Sequence, residues 1–68
     1  MKAPSKQLSL ISLLYDNPSR SFAISELQLL VRIQSHQGVV RTVNNLRKAG
    51  AKIQTIMSTD ETRYQIVI

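Results

Sequence analysis

The stretch from residue 35 to residue 50 constrains the fold of this 68-residue chain most, because it carries the clearest helical pattern. Its apolar residues recur at i, i+4 and i+7, the spacing of one helical face. They are Val39, Val43 and Leu46. Ser35 stands where an N-cap oxygen is expected, and Gly50 stands just past the last apolar residue, where a left-handed residue commonly ends a helix. The pattern predicts a helix over residues 36–49.

The opposite face of this helix carries no acid and no large apolar residue. It presents amide, guanidinium and ammonium groups, which contact guanine, adenine and phosphate in the major groove of DNA. Arg41 is the strongest candidate, because a guanidinium in mid-helix can donate two hydrogen bonds to one guanine. The bland alternative is a solvated face without a partner. The predicted base-contacting residues are Gln37, Arg41, Asn44 and Asn45.

The distribution of charge agrees with this helix as a contact surface. The formal net charge is +5, and no acidic residue occurs from residue 27 through residue 59. A basic block that coincides with one helix and its flanks is typical of proteins that bind polyanions. The residues predicted to contact phosphates in and around this block are Arg32, Ser35, His36, Arg47, Lys48, Lys52 and Arg63.

The rest of the chain divides into short periodic segments. Residues 1–4 are expected to be a frayed lead-in. The predicted elements are a helix over 5–16, a short strand over 20–24, a helix over 26–33, the helix over 36–49, and a hairpin of strands 52–57 and 63–68. Two short helices joined by a few residues predict a helix-turn-helix. The fold class is therefore α+β.

The same periodicity predicts which side chains are buried. In the first helix these are Leu8, Ile11 and either Leu14 or Tyr15, with Leu10 and Leu13 widening the face. In the second helix they are Leu27, Leu30 and Val31. Ser25 and Gln28 have the spacing of a capping box, which predicts that the second helix begins at Glu26.

These elements resemble the winged helix-turn-helix family, and most of all its branch found at the N-terminus of the biotin operon repressor. The residues that carry the resemblance are the L-x-x-I-x-x-L opening from Leu8, the Ser35 helix, and the closing L-R-K-A-G that ends at Gly50. The resemblance covers residues 8–67. It implies that residues 35–49 form a recognition helix and that the hairpin is a wing.

The chain departs from the family pattern in two places. In the turn between the second and third helices, Arg32 stands where the family has glycine and Gln34 adds one residue, which predicts an irregular turn or a longer second helix. In the hairpin, the tip carries Asp60 and Glu61, which DNA phosphates repel. The remaining hairpin candidates for DNA contact are Lys52, Thr62 and Arg63.

Other classes of function have little support in the residues. The chain has no cysteine and one histidine, so neither a metal site nor a cofactor is predicted. The four carboxylates are scattered and neither glycine belongs to a phosphate-binding loop, so no enzyme is predicted. No run of apolar residues is long enough for a membrane span or a signal peptide. A soluble, cytoplasmic, nucleoid-associated protein is expected.

The predicted function is sequence-specific binding of double-stranded DNA by a small stand-alone transcriptional regulator. Few phosphate contacts favour a homodimer or repeated sites, with Val40 and residues 65–68 as contacts between copies. Two alternatives stay open. One is a protein-interaction module whose basic face binds an acidic protein, and the other is an architectural or excision-type factor that bends DNA.

Overall fold

The described residues form three helices and a three-stranded antiparallel sheet. The computed structural model describes residues 5–68, so the predicted lead-in of residues 1–4 lies outside the described residues. The α+β class and the order of the predicted elements are confirmed. The elements are α1 (Ser5–Asp16), β1 (Phe22–Ala23), α2 (Ile24–Val31), α3 (His36–Lys48), β2 (Ile53–Met57) and β3 (Thr62–Ile66).

One cluster of buried side chains joins the three helices to the sheet. Its fully buried members are Leu10, Leu14, Phe22, Leu27, Val39 and Val43. The predicted inward face of α1 is confirmed for Leu10 and Leu14, which are fully buried, and was wrong for Leu8, which is 54% exposed. Of the two predicted alternatives Leu14 and Tyr15, Tyr15 is the exposed one, at 55%. Leu30 of α2 is also exposed, at 56%, and Ile24 takes the inward position instead. Both helices carry apolar residues on more than one side, so periodicity alone does not select the inward face.

The start of α2 differs from the predicted capping box. The helix begins at Ile24 with Ala23 as its N-cap residue, and the carboxylate of Glu26 accepts a hydrogen bond from the Ala23 backbone N–H (3.0 Å). Ser25 is thus inside the helix rather than its cap. β1 is correspondingly short, since only Phe22 and Ala23 of the predicted strand pair with β3.

The turn between α2 and α3 is the irregular one of the two predicted alternatives, because α2 ends at Val31. Arg32 ends the helix in the left-handed conformation (φ 59°, ψ 50°), where glycine is usual. Lys6 of α1 stabilises this end, since its Nζ donates to the Val31 carbonyl (3.1 Å) and the Arg32 carbonyl (2.6 Å). A cation at a helix C-terminus is favoured by the helix dipole.

Both predicted ends of α3 are confirmed to within one residue. The Ser35 side chain accepts from the Gly38 backbone N–H (3.0 Å) as the N-cap. At the other end Gly50 has φ 108°. The Gly50 N–H donates to the Arg47 carbonyl (3.0 Å) and the Ala51 N–H donates to the Leu46 carbonyl (2.9 Å), which together form a Schellman motif.

The sheet has the strand order β1-β3-β2, so β3 is the central strand. Ile53 lies opposite Ile66 and Thr55 lies opposite Tyr64. The predicted C-terminal strand is shorter than expected, since it ends at Ile66 and the exposed Val67 and Ile68 lie beyond it. β1 pairs only with Arg63 and Tyr64, so the next residues of β3 keep one unpaired edge, and the contact between copies predicted over residues 65–68 stays a prediction.

Glu61 anchors the tip of the hairpin to the first turn of α2. Its carboxylate accepts from the Ser25 backbone N–H (3.0 Å) and from the Ser25 hydroxyl (2.9 Å). The Ser25 backbone N–H is the main reason why the pKa of Glu61 lies below its ordinary value of 4.5, and the Ser25 hydroxyl adds to this. The Ala23 backbone N–H likewise lowers the pKa of Glu26.

Gly38 permits the close contact between the turn and α3, which gives one testable expectation. A Cβ added at Gly38 would lie 2.6 Å from Cγ2 of Ile33. We expect Gly38→Ala to lower the free energy of unfolding by about 1–2 kcal/mol, because overpacking outweighs the gain in helix propensity. Thermal unfolding followed by circular dichroism measures this. In an Ile33→Ala background the same change should no longer destabilise, and a loss of equal size there would contradict the packing account.

The two lowered carboxylate pKa values predict how stability depends on pH. A group whose pKa is lower in the folded state stabilises the fold above its unfolded pKa, and this stabilisation is lost as the pH falls through the folded value. We expect the free energy of unfolding to fall as the pH drops below about 4.5. Urea unfolding at a series of pH values measures this, and the free energy of unfolding of Glu61→Gln should fall less steeply with decreasing pH than that of the wild type. Asp60→Asn keeps the hydrogen bonds between Glu61 and Ser25, so its free energy of unfolding should depend on pH as in the wild type. The same pH dependence in both variants would refute the role of Glu61.

Candidate functional site

α3 exposes one face between two grooves, and Arg41 lines both of them. The first, here called the α3 groove, has a volume of about 660 Å³. Its lining residues are Ile24, His36, Gln37, Val40, Arg41, Asn44, Asn45 and Lys48. All four predicted base-contacting residues therefore lie together on one surface, with the predicted phosphate contacts His36 and Lys48 beside them.

The second groove, here called the turn groove, has a volume of about 440 Å³ and lies on the other side of Arg41. It is lined by Lys6, Arg32, Ile33, Gln34, Ser35, Gly38, Arg41 and Thr42. Two predicted phosphate contacts, Arg32 and Ser35, meet here. Three cationic side chains line the groove and no acidic one does, so the turn groove is an electropositive surface.

The side chains of the predicted base-contacting residues are available for a ligand. Gln37, Arg41, Asn44 and Asn45 are all exposed. Among the described residues, none of the four has a side-chain hydrogen bond to a protein partner, and neither of the two ion pairs of Glu26 involves α3. Burial of Val39, Val43 and Leu46 on the opposite face holds them outward. The face therefore offers hydrogen-bond donors and acceptors in a fixed row.

Arg47 is placed differently from the other cations of α3. Its Nε and Nη2 donate to the Ile53 carbonyl (3.0 and 2.7 Å), and Nη2 also donates to the Thr55 hydroxyl (2.7 Å). The guanidinium lies 5.6 Å from the centre of the Tyr64 ring. Arg47 thus joins the last turn of α3 to β2, and a phosphate would compete with these contacts.

The remaining predicted phosphate contacts lie away from the two grooves. Arg63 Nη1 lies 3.5 Å from both the Ser21 carbonyl and the Glu26 carboxylate. Lys52 is exposed immediately before β2, and the hydroxyl of Thr62, a weaker hairpin candidate, is 3.8 Å from the sulfur of Met57. The structure therefore separates Arg47, Lys52 and Arg63 from the residues that line the two grooves.

Lys6 is a cation of this surface that the sequence analysis does not predict. Lys6 lies 26 residues from Arg32 along the chain, and no local pattern connects a lysine in the first helix with this turn. Val40, which the sequence predicts as a contact between copies, lines the α3 groove, and its role in such a contact stays a prediction. Its position three residues after Gln37 and four before Asn44 was the available signal, since these spacings share a helical face.

The chain matches no family model, no curated relative and no solved structure. Such comparisons leave the function to be inferred from the residues themselves. Across residues 5–68, no helix is long and apolar enough to cross a membrane. In the same described part of the chain, no group of three or more His, Asp or Glu side chains is placed to hold a metal ion.

The hydrogen bonds of the Arg47 guanidinium predict that this residue stabilises the fold. We expect Arg47→Lys to destabilise the fold almost as much as Arg47→Ala, by about 1–2 kcal/mol, because lysine keeps the charge but loses the planar two-point donation. The melting temperature of both variants should be several degrees below that of the wild type. Lys48→Ala is the matched control and should melt like the wild type. A wild-type melting temperature for Arg47→Lys would show that the charge alone matters.

Proposed function

We propose that this chain is a small winged helix-turn-helix protein that binds double-stranded DNA sequence-specifically and regulates transcription. α3 is the recognition helix and lies in the major groove. The observation that carries the proposal is the row of exposed, unpaired donors Gln37, Arg41, Asn44 and Asn45 on an acid-free face, within the described residues. Such groups distinguish base pairs in the major groove.

The arrangement of the other elements supports this placement. The order of helix, short strand, two helices and hairpin agrees with a winged helix, in which α2 and α3 form the helix-turn-helix and β2 and β3 form the wing. Arg32 and Lys48 flank α3 at opposite ends, where they contact phosphates and fix its register along the groove. Such a protein acts at the nucleoid, in the cytoplasm.

The wing contributes less to DNA binding in this proposal. Glu61 is bound to Ser25, Arg63 lies beside Glu26, and Asp60 at the tip is exposed. An acidic tip held against α2 has no favourable interaction with the phosphates that border the minor groove. Readout is therefore assigned to α3 alone, with Lys52 as the wing's phosphate contact.

The proposal is tested by selecting bound duplexes from a random-sequence DNA pool and measuring affinity at several salt concentrations. We expect one enriched motif, and Arg41→Ala should weaken binding to it roughly tenfold to a hundredfold, since a bidentate contact discriminates by about 1–3 kcal/mol. Arg20→Ala is the control for the loss of one positive charge, because Arg20 pairs with Glu26 (2.6 Å) in a groove that α3 does not line. It should retain the motif and most of the affinity.

The other outcomes separate the alternatives. Steeply salt-dependent binding without an enriched motif would replace specific readout with an architectural role. No binding at low salt would refute DNA as the ligand. The alternative that the basic face binds an acidic protein would then be tested next. A separate apolar surface, where Leu29 of α2 is 81% exposed beside the exposed Leu30, favours a protein contact of another kind.

A further inference from the structure

Val40 is the apolar side chain that α3 presents inside a row of polar ones. It lines the α3 groove with Gln37, Arg41 and Asn44, which lie three residues before it, one after it and four after it. Ile24, the other apolar residue of the groove, is buried at 8% exposure. Val40 is only partly buried, so part of its side chain faces the groove.

The inner side of Val40 packs against the core, which fixes its outer methyl group in space. A β-branched residue in a helix has one strongly preferred rotamer, so little conformational entropy is lost when it contacts a ligand. A rigid methyl group between amide and guanidinium donors forms an apolar point in an otherwise polar surface. Water there is displaced favourably only by an apolar group.

The major groove of DNA offers one such apolar group, the 5-methyl of thymine. Cytosine would instead place its amino group against Val40, where it loses hydration without gaining a partner. Resting on the proposed function, we propose that Val40 contacts the 5-methyl group of one thymine and makes that position of the site an A·T pair. Gln37 and Asn44, on either side of Val40, are suited to read the adenine of the same or the adjoining pair.

The test replaces each thymine of the selected duplex singly by deoxyuridine, which removes the methyl group and leaves base pairing unchanged. We expect one position at which wild-type affinity falls roughly three- to tenfold, the size expected for one buried methyl group. At that position Val40→Ala should bind the thymine and deoxyuridine duplexes equally. Deoxyuridine at the remaining positions should have no effect.

Ile56→Ala is the matched control, because it shortens a comparably half-buried β-branched residue that does not line the groove. Ile56→Ala should lose as much affinity as the wild type when deoxyuridine replaces the thymine at that position. Circular dichroism melts check that each variant is folded. Tolerance of deoxyuridine at every position, or an equal loss in Val40→Ala, would overturn the role of Val40 while leaving DNA binding intact. Failure to enrich any duplex in the first selection would instead overturn the proposed function itself, and the methyl contact with it.

Discussion

Burial of one side of α3 against the core determines the surface on its other side. Val39 and Val43 are fully buried and Leu46 nearly so. Each such side chain contributes about 1.5–3 kcal/mol when removed from water, and small domains have a total stability of only about 5–15 kcal/mol. Rotating α3 would therefore cost most of the stability of the fold. The polar row is held outward by the hydrophobic core rather than by contacts of its own.

Two long side chains hold the turn before α3 and the last turn of α3: Lys6 of α1 binds the turn, and Arg47 of α3 itself binds β2. A non-glycine residue in the left-handed conformation costs roughly 1–2 kcal/mol, which is the expected strain at Arg32. The two hydrogen bonds from Lys6 and the Ile33 backbone bond to Gln28 (3.0 Å) offset that strain. At the C-terminal end of α3, Arg47 binds the Ile53 carbonyl and the Thr55 hydroxyl of β2. A rigid α3 between two anchored ends loses little entropy when it binds a ligand.

The sequence predicts α3 well because its signals are local. These signals lie inside the helix or next to its ends. The structure confirms Ser35 as the N-cap, the burial of Val39, Val43 and Leu46, and the left-handed Gly50. The rotation of α1 and the start of α2 depend on tertiary contacts instead. Leu8 and Leu10 have equal hydrophobicity, so only the tertiary packing of α1 selects Leu10 for the core. The anchoring of Glu61 to Ser25 joins residues 36 positions apart, and no local pattern carries such a pairing.

If α3 binds DNA as proposed, the contacts that hold α3 also limit how tightly one copy binds it. Four cations of the described residues are engaged within the fold, namely Lys6, Arg20, Arg47 and Arg63. Because the proposal assigns Arg41 to a base, Arg32, Lys48 and Lys52 are left as cations for the proposed phosphate contacts. Three phosphate contacts correspond to a slope of about −3 in log affinity against log salt, and strongly binding regulators neutralise about 6–10 phosphates. Two copies on adjoining half-sites would reach that number. The shortage of cations is thus the physical reason to expect paired binding.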